Sequence, residues 1–138
     1  MISTLEKILF LKSVDLFSQL SGEKLAQVAH IAREIEFDKG SCVFKEGENG
    51  AALYLIVNGE VNIVKGGRKI TVLGERECFG EMAILDSEPR SATVEAISDV
   101  TCLELNREDF YDLMADEHEI SQGIIKVLVR RLRNMNSN

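Results

Sequence analysis

The stretch from Glu34 to Leu73 reads EIEFDKGSCVFKEGENGAALYLIVNGEVNIVKGGRKITVL, and through most of it apolar and polar residues alternate. Ile35 and Phe37 alternate with Glu34, Glu36 and Asp38, the pattern of a strand with one buried face. Lys39-Gly40 marks a turn, Val43-Phe44 begins a second short strand, and Glu46-Gly47-Glu48-Asn49-Gly50 breaks it. Leu53 to Val57 is an apolar strand, and Asn58-Gly59 is the strongest local hairpin signal in the chain, predicted to pair it with the strand at Val61 and Ile63. Gly66-Gly67 turns the chain again, and Ile70, Val72 and Leu73 close against Gly74. Farther on, Thr93 to Ala96 and Val100 to Leu105 read as strands joined through Ser98-Asp99, both carrying β-branched residues. Many short strands with glycine turns predict a mainly β fold with flanking helices, wrapped into a roll or barrel that hides its edges.

Helical spacing brackets this region. Thr4 to Leu11 places Leu5, Ile8, Leu9 and Leu11 at helical intervals, with Ser3 or Thr4 as the cap. Val14, Leu16 and Phe17 form an apolar knot before Ser21-Gly22-Glu23-Lys24, an incomplete capping box in which Lys24 stands where Glu or Gln would reach back. Leu25, Val28, Ala29 and Ala32 fit a second helix, and Asn106 reads as an N-cap ahead of Phe110, Leu113 and Met114. From Ile120 to Leu132 a last helix puts Ile120, Ile124, Val127, Leu128 and Leu132 on one face. Arg130, Arg131 and Arg133 follow where the helix dipole favours cations, and they are expected to be an ordinary solvated helix end. A single domain results: a helical lead-in at about 4–32, a β-roll at about 34–105 and C-terminal helices at about 107–134.

Bulk properties narrow the function. With 138 residues, 45% hydrophobic and 28% charged, the chain is long enough for one real core. Its 23 acidic against 16 basic residues leave a net charge of -7, which disfavours a whole-surface attraction to nucleic acid or anionic lipid. An anionic ligand therefore requires a specific arginine. Cys42, Cys78 and Cys102 are odd in number and form no CxxC pair, so they are expected to be buried free thiols, with neither disulfide nor metal site. The apolar run from Ile8 to Leu11 is too short for a signal core or a membrane span. A cytoplasmic location is the expectation, for a whole protein or for a domain tethered to a longer one.

The segment that breaks the strand pattern is Phe79-Gly80-Glu81-Met82-Ala83-Ile84-Leu85, then Asp86-Ser87-Glu88, then Pro89-Arg90-Ser91-Ala92-Thr93. Gly80 lets the backbone approach a ligand closely and opens a very short helix whose amides are free. Glu81 would repel a phosphate, so a ligand-binding Glu81 must accept hydrogen bonds from hydroxyls. Arg90 follows the only proline, its donor fork suits phosphate oxygens, and Ser91 adds a hydroxyl and an amide. One diol reader and one phosphate clamp suit a ribose bearing a cyclic phosphate. A structural salt bridge between Glu81 and Arg90 fits the same residues equally well.

The pattern F-G-E, a small apolar turn, a spacer, then R, a small residue, A and T resembles the phosphate-binding cassette of the cyclic nucleotide-binding domain family. The likeness runs from about Val14 to Leu132. It takes in Phe17 and Leu20 to Leu25 as a helical lead-in, Gly40 and Gly47 as early turns, Val57-Asn58-Gly59-Glu60-Val61, and Arg130-Arg131-Leu132 in the last helix. The resemblance implies an eight-stranded, jelly-roll-like β-roll of the double-stranded β-helix kind. It makes Glu81 the acceptor for the ribose 2′-OH and Arg90 the partner of the cyclic phosphate. Gly80, Met82 and Ala83 offer backbone groups, Ser91 and Ala92 complete the cradle, and Val72, Leu73 and Cys78 are weaker candidates for the wall. Threonine after the arginine, whose hydroxyl can reach the guanine, accompanies guanine preference in the family and alanine adenine preference. Ser91 is intermediate, but serine also occurs in the family's bacterial adenine-nucleotide sensors, so the resemblance implies cAMP with cGMP as the weaker ligand.

The implied mechanism is a population shift in which the cassette repacks Ile84 or Leu85 against the hinge at Phe110 to Met114, and the helix from about Glu117 closes as a lid. An enzyme is not expected, because His30 and His118 are far apart in the chain and no nucleophile carries a local activating motif. The rival is a degenerate roll that binds proteins and takes nucleotide weakly or not at all. No nucleic-acid binding and no membrane insertion are expected of this chain. An effector outside it is expected, and the apolar faces of the first and last helices suit either self-association or covering the roll.

Overall fold

The computed structural model describes residues 2–86 and 88–136, with the side chain of Met82 outside that description. Eight strands among these residues form two antiparallel sheets of four. The first contains β1 (Arg33–Phe37), β8 (Val100–Asn106), β3 (Ala52–Asn58) and β6 (Cys78–Phe79) in that order. The second contains β2 (Cys42–Phe44), β7 (Thr93–Ala96), β4 (Val61–Lys65) and β5 (Arg68–Leu73). The chain passes repeatedly from one sheet to the other, which is the eight-stranded roll expected.

That alternation corrects the reading of Asn58-Gly59. β3 pairs with β8 and β6, whereas β4 pairs with β5 and β7, so no hairpin joins β3 to β4. Gly59 instead turns a corner between the sheets with φ of 99°, and a Cβ there would collide with the Asp99 carbonyl oxygen. Neighbouring corners lock onto it: Glu60 N–H donates to Ser98 Oγ at 3.0 Å, and Lys39 N–H donates to Asp99 Oδ1 at 2.9 Å. Lys39-Gly40 and Ser98-Asp99 are corners of the same kind. Gly66-Gly67 is a true hairpin turn, closing the Lys65–Arg68 pair.

The core divides in two. Ile56, Val61, Phe79, Val94, Val100 and Cys102 fill the inside of the roll. Leu53, Leu55, Leu103 and Leu105, on the other face of β3 and β8, meet Phe17, Val28, Phe110, Ile120 and Val127 from the helices. Both faces of β3 are thus covered, and its sequence is a continuous apolar run for that reason.

The helices are α1 (Thr4–Lys12), α2 (Gly22–Ile31), α3 (Arg107–Asp116) and α4 (His118–Asn136). Ser3 and Glu6 form a complete capping box on α1. Ser21 Oγ accepts from Lys24 N–H at 3.3 Å, the half of the box that the sequence permits. Asn106 Oδ1 accepts from the amides of Glu108 and Asp109 at 2.8 and 3.3 Å. Two details differ from expectation. Leu132 is 58% exposed, and Cys42 on the edge strand β2 is exposed opposite Glu95, which is exposed as well. No helix among the described residues is long and apolar enough to cross a membrane.

Candidate functional site

A cavity of about 390 Å³ opens between the roll and the segment 80–92. Six of the seven predicted site residues line it: Gly80, Glu81, Ala83, Arg90, Ser91 and Ala92. The backbone of Met82 lies in the 3-10 turn Glu81–Ile84, and its side chain lies outside the described residues, as does all of Ser87. Cys78 is a wall residue, whereas Val72 and Leu73 are absent from the lining and belong to strand β5. The walls that sequence reading missed are Phe44, Ile63 and Val94, contributed by three strands of the second sheet.

Arg90 is the buried cation of the site, with 8% of its surface exposed. Its backbone is held like a strand, with Arg90 N–H donating to Glu48 O at 2.7 Å and Gly47 N–H donating to Arg90 O at 2.8 Å. Its Nη2 donates to the Ala52 carbonyl at 2.9 Å, and the Phe44 ring centroid lies 3.9 Å from Cζ. The guanidinium threads between Gly50 and Gly80: a Cβ on Gly80 would sit 2.5 Å from Nη1 and 2.8 Å from Ala52 O. Among the described residues Nε and Nη1 have no partner, and no carboxylate pairs with this arginine. Burial holds the guanidinium below its ordinary pKa, and the nearby Arg107 acts in the same direction.

Glu81 does not pair with Arg90, which removes the structural salt bridge between them. Its Oε1 is 2.5 Å from Arg131 Nη2 on α4, and its Oε2 accepts a weak hydrogen bond from Cys78 Sγ at 3.5 Å. Burial, then the adjacent Glu81 charge, pushes the Cys78 thiol up to about 12. Arg131 also meets Asp15 Oδ2 at 2.9 Å, and Arg130 meets Asp15 Oδ1 at 3.1 Å. Burial works against the charge of Arg131, but Glu81 and Asp15 outweigh it and hold the guanidinium above its ordinary value. Arg130 is exposed and remains a solvated helix end carrying a surface ion pair, whereas Arg131, bound to both Glu81 and Asp15, is an anchor, which corrects the expectation for that residue. The cause is that Asp15 and the cassette come together beside α4 only when the chain has folded.

Two further side chains secure the segment. Arg107 Nη1 donates to the carbonyls of Gly50 at 3.0 Å and Ala83 at 2.9 Å, and to that of Asp86. Tyr111 Oη donates to Leu85 O at 2.5 Å. Both come from the first turns of α3, so the cassette is tied to that helix as well as to α4. Nothing in their local sequence distinguished them from surface residues. Chemically, the site combines unpaired cationic donors, a carboxylate and an apolar wall, the features of a pocket for a small amphiphilic anion bearing hydroxyls.

A family model described as the cyclic nucleotide-binding domain matches residues 34–117. The CRP-like cAMP-activated global transcriptional regulator of Mycobacterium tuberculosis is 34% identical over 128 residues, which cover 89% of this chain and 57% of the regulator. A putative potassium channel protein of Rhodopseudomonas palustris is 37% identical over 128 residues, covering 89% of this chain and 31% of the channel protein. This chain thus spans just over half of the first relative and under a third of the second. The N-terminal domain of a transcriptional regulator from Streptomyces coelicolor A3(2) superposes with a TM-score of 0.85 at 30% identity, covering 92% of each chain.

Proposed function

Since this chain belongs to the cyclic nucleotide-binding domain family, we propose that it senses a cyclic nucleotide, cAMP in preference to cGMP, and transmits binding through α3 and α4. The observation that carries this reading is Arg90: a buried cation with two unpaired donors in the wall of a cavity. An orphaned buried donor is costly unless a ligand completes it, and a phosphate supplies both acceptors and countercharge. In this reading Arg90 holds the cyclic phosphate, Glu81 accepts from the 2′-OH, and the backbone of Gly80, Met82 and Ala83 with Ser91 and Ala92 forms the cradle. The preference for cAMP is supported by the cAMP-activated regulator among the relatives, while Ser91, which keeps a hydroxyl, leaves cGMP as a weaker ligand.

Transmission follows from shared partners. A hydroxyl that donates to Glu81 bears on the carboxylate that Arg131 of α4 engages, so ligand occupancy and α4 position influence each other. Arg107 and Tyr111 give α3 the same kind of tie. We read the whole chain as one sensing module that binds without turnover in the cytoplasm. Its effector lies outside this chain, which itself contacts neither nucleic acid nor membrane, while the outer apolar faces of α1 and α4 leave room for self-association. Titration of the nucleotide-free protein with cAMP, cGMP, 5′-AMP and ATP tests the proposal. Binding of the two cyclic compounds, cAMP the tighter, is expected; tight ATP binding would redirect it, and no binding at all would favour a protein-interaction roll.

A further inference from the structure

We propose that Phe44 is a positioning residue for the anion, its ring face serving as the counter-surface that keeps Arg90 flat and aimed. The inference rests on the reading of Arg90 as the phosphate clamp and adds a side chain from outside the segment 80–92.

Arg90 has lost nearly all its water and has no carboxylate partner among the described residues, where the one hydrogen bond of its side chain goes to Ala52 O. A desolvated cation in that condition needs another source of negative potential, and the face of an aromatic ring supplies one. The 3.9 Å from Cζ to the Phe44 centroid is a stacking distance. Gly50 and Gly80 close the slot from other directions, since a Cβ at either would strike the guanidinium. Shape and charge therefore select one orientation, the one that leaves Nε and Nη1 unpaired. Phe44 is itself braced: its ring lies 5.8 Å from that of Phe79 and 6.1 Å from that of Tyr54, which stack on each other at 5.2 Å. This aromatic cluster joins β2 of one sheet to β3 and β6 of the other. A leucine at position 44 would keep apolar bulk there but offer no π face.

Calorimetry on wild type, F44L, F44Y, R90Q and F44L/R90Q tests the role. F44L is expected to weaken cAMP binding about tenfold, the scale of a desolvated cation–π contact, and F44Y to restore it to within about threefold. In the R90Q background F44L should change affinity less than about twofold, because the ring acts through the arginine. Losses that simply add, or an F44L protein that binds like wild type, would overturn the proposal. Should F44L not fold, F44M provides the same loss of the ring. The wild-type protein gives an independent readout: the Arg90 side-chain proton resonances are expected to be shifted upfield by the ring current, and unshifted resonances would count against the stack. A wild type that binds no cyclic nucleotide would defeat the clamp reading instead, a result distinct from an R90Q-sensitive site that ignores Phe44.

Discussion

Arg90 and Glu81 are both partly shielded from water, yet their surroundings give them opposite tasks. Arg90 is short of partners, so a ligand that supplies oxygens gains a charge-assisted contact in a dry setting. Glu81 already has Arg131, so a hydroxyl gains less there. R90Q is therefore expected to weaken cAMP binding by roughly tenfold to several hundredfold, and E81Q to weaken it less. With the 2′-deoxy analogue the E81Q effect should nearly vanish while the R90Q effect persists, both read by calorimetry. Cys78 gives a pH test of the same wall. Its thiol stands at about 12, so at neutral pH almost none is thiolate, and its alkylation rate should rise about tenfold per pH unit until that value. Exposed Cys42 should label first, as peptide mapping after a timed alkylation would show.

Among the elements, α3 and α4 hold the cassette from two sides, and each has a point at which this can be loosened. Asn106 caps α3 one residue before Arg107, which reaches three carbonyls around the site. N106A should lower stability by about 1 kcal/mol, seen as a reduced urea midpoint with an unchanged slope. At α4 the link is ionic, and the pKa of Arg131 is displaced upward, so no accessible pH removes its charge and only substitution tests it. R131Q is expected to speed hydrogen exchange in the last turns of α4. It should also reduce the difference that cAMP makes to exchange there; an undiminished difference would mean that transmission bypasses the Glu81 contact.

For the molecule as a whole, the core is divided into a roll interior and a helix-facing layer, and the proposed transmission would share the second with the packing that stabilises the fold. Phe110 is completely buried in the helix-facing layer, its ring centroid 5.7 Å from that of Phe17, and Ile84 of the cassette lies in the same cluster. Truncation there removes packing that the cassette, α3 and the lead-in share. F110A should cost about 3–5 kcal/mol, a large part of the roughly 5–15 kcal/mol that holds a domain together. Thermal or urea unfolding would measure it. The effect on ligand affinity should exceed that of an equally destabilising change inside the roll away from the cavity.

The cassette of Gly80, Glu81 and Arg90 was legible only through its resemblance to a family pattern, whereas the order of elements, their periods and the caps at Ser21 and Asn106 could be read directly from the chain. These features depend on spacings of a few residues, which backbone geometry and local hydrogen bonding determine without reference to distant segments. Tertiary structure decided the rest. Asn58-Gly59 bends the chain, but whether the next strand pairs with β3 or departs to the other sheet depends on the corner at Asp99, far along the sequence. Arg131 looked like any helix-terminal cation until folding placed Asp15 and Glu81 beside it, and Phe44 like any strand aromatic until Arg90 was laid against it. A residue type limits the contacts a side chain can make, whereas the partner it receives is set by the packing of elements remote in sequence.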